Sequence, residues 1–229
     1  AALLWVGLQV LAVMAACDLL WRAYAPGRPR WPAQAVGLSF VGTWWVIAYG
    51  QNAGLLVLGL AGFLHFTRNA APSLPRRAGG KRRPVAAGAC AALTALKPHL
   101  LAGFGVLLIA DAVTRRGRIS LAAGVGAIAV SLGLALLANP AVVGQFLAAA
   151  RDPGPGAVPL HGWALPVPAY WLRMAVAPDR FWVQFVPCAI ACAALLAWRI
   201  RAGESWDWAR ALPAVVAVSA LTTPYGGWI

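Results

Sequence analysis

The sequence has little charge. Only 11% of its residues are Asp, Glu, Lys or Arg, about half the share of an ordinary soluble domain. With 61% hydrophobic residues and a mean hydropathy of +0.72, this excludes a water-soluble globule. Acidic residues are scarcest, six against nineteen Lys and Arg, for a net charge of +13. In a soluble chain that balance would suggest nucleic acid. Here the basic residues fall between apolar segments, so topology and anionic lipid account for them and no nucleic-acid partner is expected. Cysteines are few. Cys17, Cys90, Cys188 and Cys192 all lie in apolar segments, without CxxC or Cys/His spacing, which implies neither a disulfide framework nor a metal site. Also missing are GxxxxGK[ST], GxGxxG after a strand, and HExxH, so no nucleotide or zinc signature exists and no cofactor is expected. The chain starts at Ala1 inside one apolar run and stops at Ile229 in another. It is expected to be an internal piece of a longer protein, lacking N- and C-terminal parts. No signal peptide can be read from it.

What is present is a series of apolar segments. The expected fold is all-α, a polytopic transmembrane bundle forming one integral membrane domain over residues 1–229. Residues 1–21 are long enough to span. Asp18 and Arg22 near its end have i,i+4 spacing suited to an interfacial pair. Residues 33–66 form an apolar stretch interrupted by Gly50-Gln51-Asn52, enough for two short helices with a polar tip. His65 near its inner end reads as interfacial. Residues 85–113 are apolar except at Lys97-Pro98-His99 and the end of the run. Pro98 removes a backbone donor and disfavours helix at the residue before it. One reading is a single kinked span whose lysine snorkels. The other is a helical hairpin carrying the lysine into a polar cavity. Basic clusters at both ends, RRAGGKRR before and RRGR after, place both ends on one side and favour the hairpin. Each arm, of roughly 12 to 15 residues, reaches about 18 to 23 Å, short of a hydrocarbon core of about 30 Å. Bare backbone cannot face lipid, so the tip should line a cavity.

Residues 119–139 read as a plain Gly/Ala-rich span and 141–180 as the long extracytoplasmic segment, with a short interfacial helix over 169–176. Residues 181–198 return inward, and the span starting at 212 runs outward to Thr222-Thr223-Pro224-Tyr225. By this topology all but Lys97, Arg151, Arg173 and Arg180 of the nineteen basic residues fall inside. A lone outer arginine is usually interfacial. Lys97 stands out because it interrupts an apolar segment, where a charge is costly. Three tips then meet outside: Gln51/Asn52, Lys97/His99 and the segment ending at Tyr225. For Gln51 and Asn52, an interhelical hydrogen bond or a helix cap competes with ligand contact. Lys is a compact donor to phosphate, and aromatic faces with amides suit sugars. A lipid-phosphate-linked substrate would fit both.

The pattern GQNAGLLVLGLAGFLHF, a basic loop, AAGACAALTALKPHLL and RRGR resembles the core of the family 87 glycosyltransferases, membrane enzymes of the GT-C superfamily. In that family a Gly-Gln-x-Asn-like motif opens a Leu-rich helix, and a Gly/Ala-rich helix leads into Lys-Pro. The tighter Gly50-Gln51-Asn52 departs from that pattern. The closing LTTPYGGWI is similar to the family's outer segment with Pro before an aromatic. Residues 41–118 carry the likeness, and the rest shares the layout. The resemblance implies a hexosyltransferase moving a hexose, often mannose, from a polyprenyl-phosphate-linked donor to a lipid or glycan acceptor. The active face would be the extracytoplasmic side of the plasma (inner) membrane. It also implies an inverting reaction with a catalytic Asp in the first outer loop, upstream of Ala1, so the base is unknown here and this chain alone is expected to be inactive. Gln51, Asn52, Lys97, His99 and Tyr225 are the expected substrate-binding residues. The alternative is a multi-span transporter or flippase of a lipid-linked or anionic solute, with the broken segments as its site. No internal repeat supports it, and a non-catalytic scaffold would leave Lys97 without a role.

The lysine and arginine asymmetry predicts that residues 67–84 and 114–118 face inside and that Gln51–Asn52 and residues 141–180 face outside. Single cysteines labelled from each side check this. Labelling of position 80 from outside would overturn the arrangement.

Overall fold

The computed structural model describes residues 2–48, 51–68, 82–151 and 167–224. Among them are eleven α-helices and no strand: α1 Ala2–Tyr24, α2 Trp31–Ser39, α3 Val41–Ala48, α4 Ala53–Arg68, α5 Arg82–Ala92, α6 Ala102–Asp111, α7 Arg115–Ala138, α8 Val142–Arg151, α9 Pro168–Val176, α10 Val186–Ala202 and α11 Trp208–Leu221. Three helical runs are long and apolar enough to cross a membrane: α1, α7 and the run Phe181–Ser205 that contains α10. Four others are apolar but short: Ala53–Arg68, Arg83–Leu96, Pro98–Asp111 and Trp208–Leu221. This is the all-α helical membrane protein that the apolar pattern predicts.

Contacts between helices fix their directions. Gln9 and Val13 of α1 lie against Gly54 of α4, and Ala23 joins the same buried cluster as Phe63 and Leu64, so α1 and α4 run parallel. α5 runs opposite to α4, with Gly59 against Cys90 and Leu93 and Phe63 grouped with Ala87. α7 follows α5, Ser120 donating to the Pro84 carbonyl at 2.9 Å and Gly124 resting on Gly88. α6 is parallel to α10, through Gly103 against Leu195 and Asp111 against Arg199, and antiparallel to α11. Helices α1, α4, α6 and α10 therefore descend from one end, here the tip end, and α5, α7 and α11 climb from the other, the loop end.

The segment 85–113 is a hairpin. Pro84 and Ala87 at its start and Leu108 and Asp111 at its close line one loop-end cavity of about 180 Å³. Its arms splay, leaving an apolar groove of about 420 Å³ lined by Gly88, Ala92, Gly105, Ile109 and Gly124. The turn is a pair of 3₁₀ segments, Leu93–Leu96 and Pro98–Leu101, either side of Lys97. Lys97 itself is non-helical (φ −140°, ψ 73°), as the following proline demands.

Two segments differ from expectation. The first arm of 33–66 is two helices, because the backbone is extended at Phe40 (φ −67°, ψ 117°). Thr43 Oγ1 and Trp44 Nε1 donate to the Gly37 and Leu38 carbonyls at 2.7 and 2.5 Å, so carbonyls freed by the break stay satisfied. The last span starts at Trp208 rather than 212, because Asp207 caps it, accepting from the Ala209 amide at 2.9 Å. The short helix expected over 169–176 is α9. The Asp18–Arg22 pair forms at 2.5 Å, and Arg30 joins it at 3.4 Å.

The core lies toward the loop end. Phe63, Phe104 and Trp208 meet edge to face, with centroids 4.9 to 5.6 Å apart, the arrangement ring quadrupoles favour. Trp206 and Trp198 extend it. Elsewhere glycine sets helix separation: a Cβ on Gly88 would fall on the Ser120 carbonyl.

Gly88→Ala should therefore push α5 and α7 apart and cost about 1–3 kcal/mol, whereas Gly126→Ala, with nothing within 4 Å, should be neutral or slightly stabilising. Thermal unfolding in detergent measures both.

Candidate functional site

The three segments that sequence places outside meet at the tip end. Lys97 Nζ donates to Gln51 Oε1 at 2.5 Å, a contact across 46 positions. Thr223 Oγ1 donates to the His99 carbonyl at 3.3 Å. Gln184, from the 3₁₀ turn Phe181–Phe185, donates through Nε2 to the Pro224 carbonyl at 2.8 Å. Lys97 and His99 are half-buried, as are Gln51 and Asn52. Tyr225 lies outside the described residues, as do Asp152, His161 and Trp163.

Each side chain is held by a local cause. Gln51 and Asn52 immediately precede α4, and the Asn52 carbonyl accepts from the Leu55 and Leu56 amides. The Asn52 side chain is not a cap, for its Oδ1 is buried without a partner. Lys97 sits where neither 3₁₀ segment can continue through Pro98. Its described partner is a neutral amide oxygen, and among the described residues no carboxylate pairs with it. The ammonium is hydrogen-bonded, but no described residue cancels its charge. Such a position can hold an anion, because bringing a phosphate there adds the missing countercharge.

Further polar groups surround the tips that the sequence reading did not single out. Gln9 is fully buried in α1, with both amide atoms unpartnered, and its Oε1 lies where a Cβ on Gly54 would meet it at 2.7 Å. Gln184 Oε1 and Ser219 Oγ are also buried and unpartnered. A lone glutamine in an apolar run is itself a signal, so Gln9 could have been read from sequence. Gln184, alone in FWVQFVPCAI, carried the same signal, whereas Ser219 is a small residue common in packed helices. Arg173 differs from the interfacial reading of outer arginines. It is 2% exposed, with Tyr170 and Phe181 faces 5.5 and 5.7 Å from its guanidinium carbon. The 3₁₀ turn after α9 folds back and encloses it in cation–π contacts.

At the loop end the chemistry is structural. Asp111 accepts from Arg199 Nε at 2.7 Å and from Trp208 Nε1 at 2.6 Å. Arg199 Nη1 donates to the Gly203 carbonyl at 2.9 Å, and its guanidinium lies 5.4 Å from the Trp206 ring centre. Both Asp111 oxygens are occupied, which ties α6, α10 and α11 together. Among the described residues no group of three or more His, Cys, Asp or Glu is placed to hold a metal ion.

The family model for glycosyltransferase family 87 matches residues 1–224. The chain belongs to glycosyltransferase family 87. Among curated proteins none matches, nor does any solved structure. Membership makes the protein a membrane glycosyltransferase, with a sugar donor and an acceptor as its substrates, in place of the transporter alternative. In this family member the described ion pairs Asp18–Arg22 and Asp111–Arg199 lie at the loop end, whereas at the tip end the Lys97 ammonium meets a neutral amide oxygen and the Thr223 and Gln184 side chains meet backbone carbonyls.

Gln51→Leu should strand the Lys97 ammonium and cost about 1.5–3 kcal/mol. The double variant with Lys97→Met should recover much of that loss. A double-mutant cycle on thermal unfolding measures the coupling, and purely additive losses would show the pair contributes nothing.

Proposed function

We propose that the protein is a hexosyltransferase that takes a hexose such as mannose from a polyprenyl-phosphate-linked donor. It passes the sugar to a lipid or glycan acceptor on the extracytoplasmic side of the plasma membrane, which the chain crosses several times. The observation that carries the reading is Lys97, held at 2.5 Å by the Gln51 amide at the end where the broken segments converge, with no carboxylate among the described residues to neutralise it. Lys97 binds the donor phosphate and Gln51 aims it. Asn52, whose Oδ1 is unpartnered, and His99 contact sugar or phosphate, and Tyr225 completes the set.

In the transfer the acceptor hydroxyl attacks the anomeric carbon, and the bond from that carbon to the phosphate oxygen breaks. The phosphate leaves with one more negative charge than it had in the donor. A fixed cation beside it therefore stabilises the transition state more than the bound donor. The hydroxyl proton goes to a base, which the family resemblance implies is an aspartate. Asp18, Asp111 and Asp207 are engaged in ion pairs at the loop end and do not supply it.

Lys97→Met keeps length and apolar bulk while removing the charge. In the full chain it should weaken donor binding by about 10- to 150-fold, the equivalent of about 1.5–3 kcal/mol, and lower turnover as well. Lys97→Arg should restore only part of it, since a planar fork needs a different geometry. Donor titration and turnover in lipid nanodiscs test this. Unchanged affinity and rate in correctly inserted Lys97→Met protein would reduce the lysine to a structural residue.

A further inference from the structure

At the opposite end of the molecule, the turn after α1 forms a basic pocket that the transfer reaction does not use. Trp21, Arg22, Ala25, Pro26, Gly27, Arg28 and Arg30 enclose about 300 Å³. The chain closes on itself here because Gly27 takes a left-handed conformation (φ +79°), with the Arg28 amide donating to the Ala25 carbonyl at 3.2 Å. Three arginines thus line one cavity. Among the described residues the one carboxylate paired with them, Asp18, is shared between Arg22 at 2.5 Å and Arg30 at 3.4 Å. Arg28 is exposed and, among the described residues, has no acidic partner. Positive charge in the pocket therefore exceeds negative.

A second, independent observation concerns Trp21. Its indole Nε1 is buried and has no hydrogen-bond partner, although Trp21 lines the pocket. A buried indole N–H ordinarily finds an acceptor. Three arginines around a concavity suit an oxyanion, to which guanidinium groups supply charge and paired donors, and the Trp21 indole forms part of the wall. Depth indicates the source. The pocket lies at the end of a 23-residue apolar helix, between Trp21 and Trp31, the latter 71% exposed, at the level where tryptophans mark the membrane interface. Lipid phosphates lie at that depth.

We propose that this pocket binds the phosphate headgroup of an anionic membrane lipid, anchoring the end of α1 and the start of α2. The site is separate from the Lys97 cluster and does not depend on which sugar the enzyme transfers.

The test uses the full chain in nanodiscs of phosphatidylcholine with 20 mol% phosphatidylglycerol as probe (about one lipid in five, enough to reveal an electrostatic preference). Native mass spectrometry counts retained phosphatidylglycerol. Arg28→Gln leaves the Asp18 pairs intact and should lower retention about fivefold, the effect of about one arginine at a charged surface. Trp21→Phe replaces the indole with a smaller aromatic ring, removes the N–H and should also lower it. Arg201→Gln, an exposed arginine outside the pocket, should change nothing. Millimolar inorganic phosphate should not displace the lipid. Retention unchanged in Arg28→Gln, or lowered equally in Arg201→Gln, would overturn the site. Displacement by inorganic phosphate would overturn the lipid assignment. Donor binding at Lys97 is unaffected in every case, so the two sites fail separately.

Discussion

A helix of 14 residues, the length of α11, reaches about 21 Å, and a hydrocarbon core is about 30 Å thick. Much of the architecture follows from that mismatch. Segments too short to cross must turn or stop at depth, where a free backbone amide or carbonyl costs several kcal/mol unless protein or water meets it. The tips of the broken segments therefore find one another. Gln51 satisfies Lys97, Thr223 satisfies the His99 carbonyl, and Gln184 satisfies the Pro224 carbonyl. A polar cluster inside an apolar protein is the outcome of segments too short to reach water.

The two ends solve their electrostatics differently. At the loop end Asp111 meets Arg199 and the Trp208 indole, so each charge is cancelled and each oxygen used. That end is a fastening. At the tip end a lysine leans on a neutral amide, and buried amide and hydroxyl atoms of Gln9, Asn52, Gln184 and Ser219 lack partners. Each orphan group costs about 1–3 kcal/mol, and such unspent bonding capacity is common where a polar substrate is to be received. The Phe63, Phe104 and Trp208 cluster, close to the fastening, gives the tips a rigid base.

Much of this was legible in the chain. Composition named the membrane. Lys97-Pro98 named a break, because a charge and a missing amide in an apolar run have few other outcomes, and the flanking basic clusters pointed to a hairpin. Partner choice was not legible. Nothing near Asp111 announces Arg199, and nothing near Arg173 announces that a later 3₁₀ turn will enclose it. The splay of the hairpin arms was equally hidden, since it depends on α7 settling into α5 through Gly88 and Gly124. Local sequence encodes where a helix must stop. It does not encode which distant side chain will meet the exposed group.

The loop-end fastening also bears on how the protein is made. Asp111 and Arg199 are 88 positions apart. At about 5–20 residues per second of synthesis, roughly 4 to 18 s separate their appearance. Through that interval the first helices are already in the membrane while the Asp111 carboxylate waits at its edge without its arginine. Gln51 precedes Lys97 by 46 positions, so the lysine emerges to find its amide already made. Biogenesis thus joins Gln51 to Lys97 first, and only when α10 and α11 arrive does the loop end lock and Thr223 reach the His99 carbonyl, so the last two helices are the clasp at both ends.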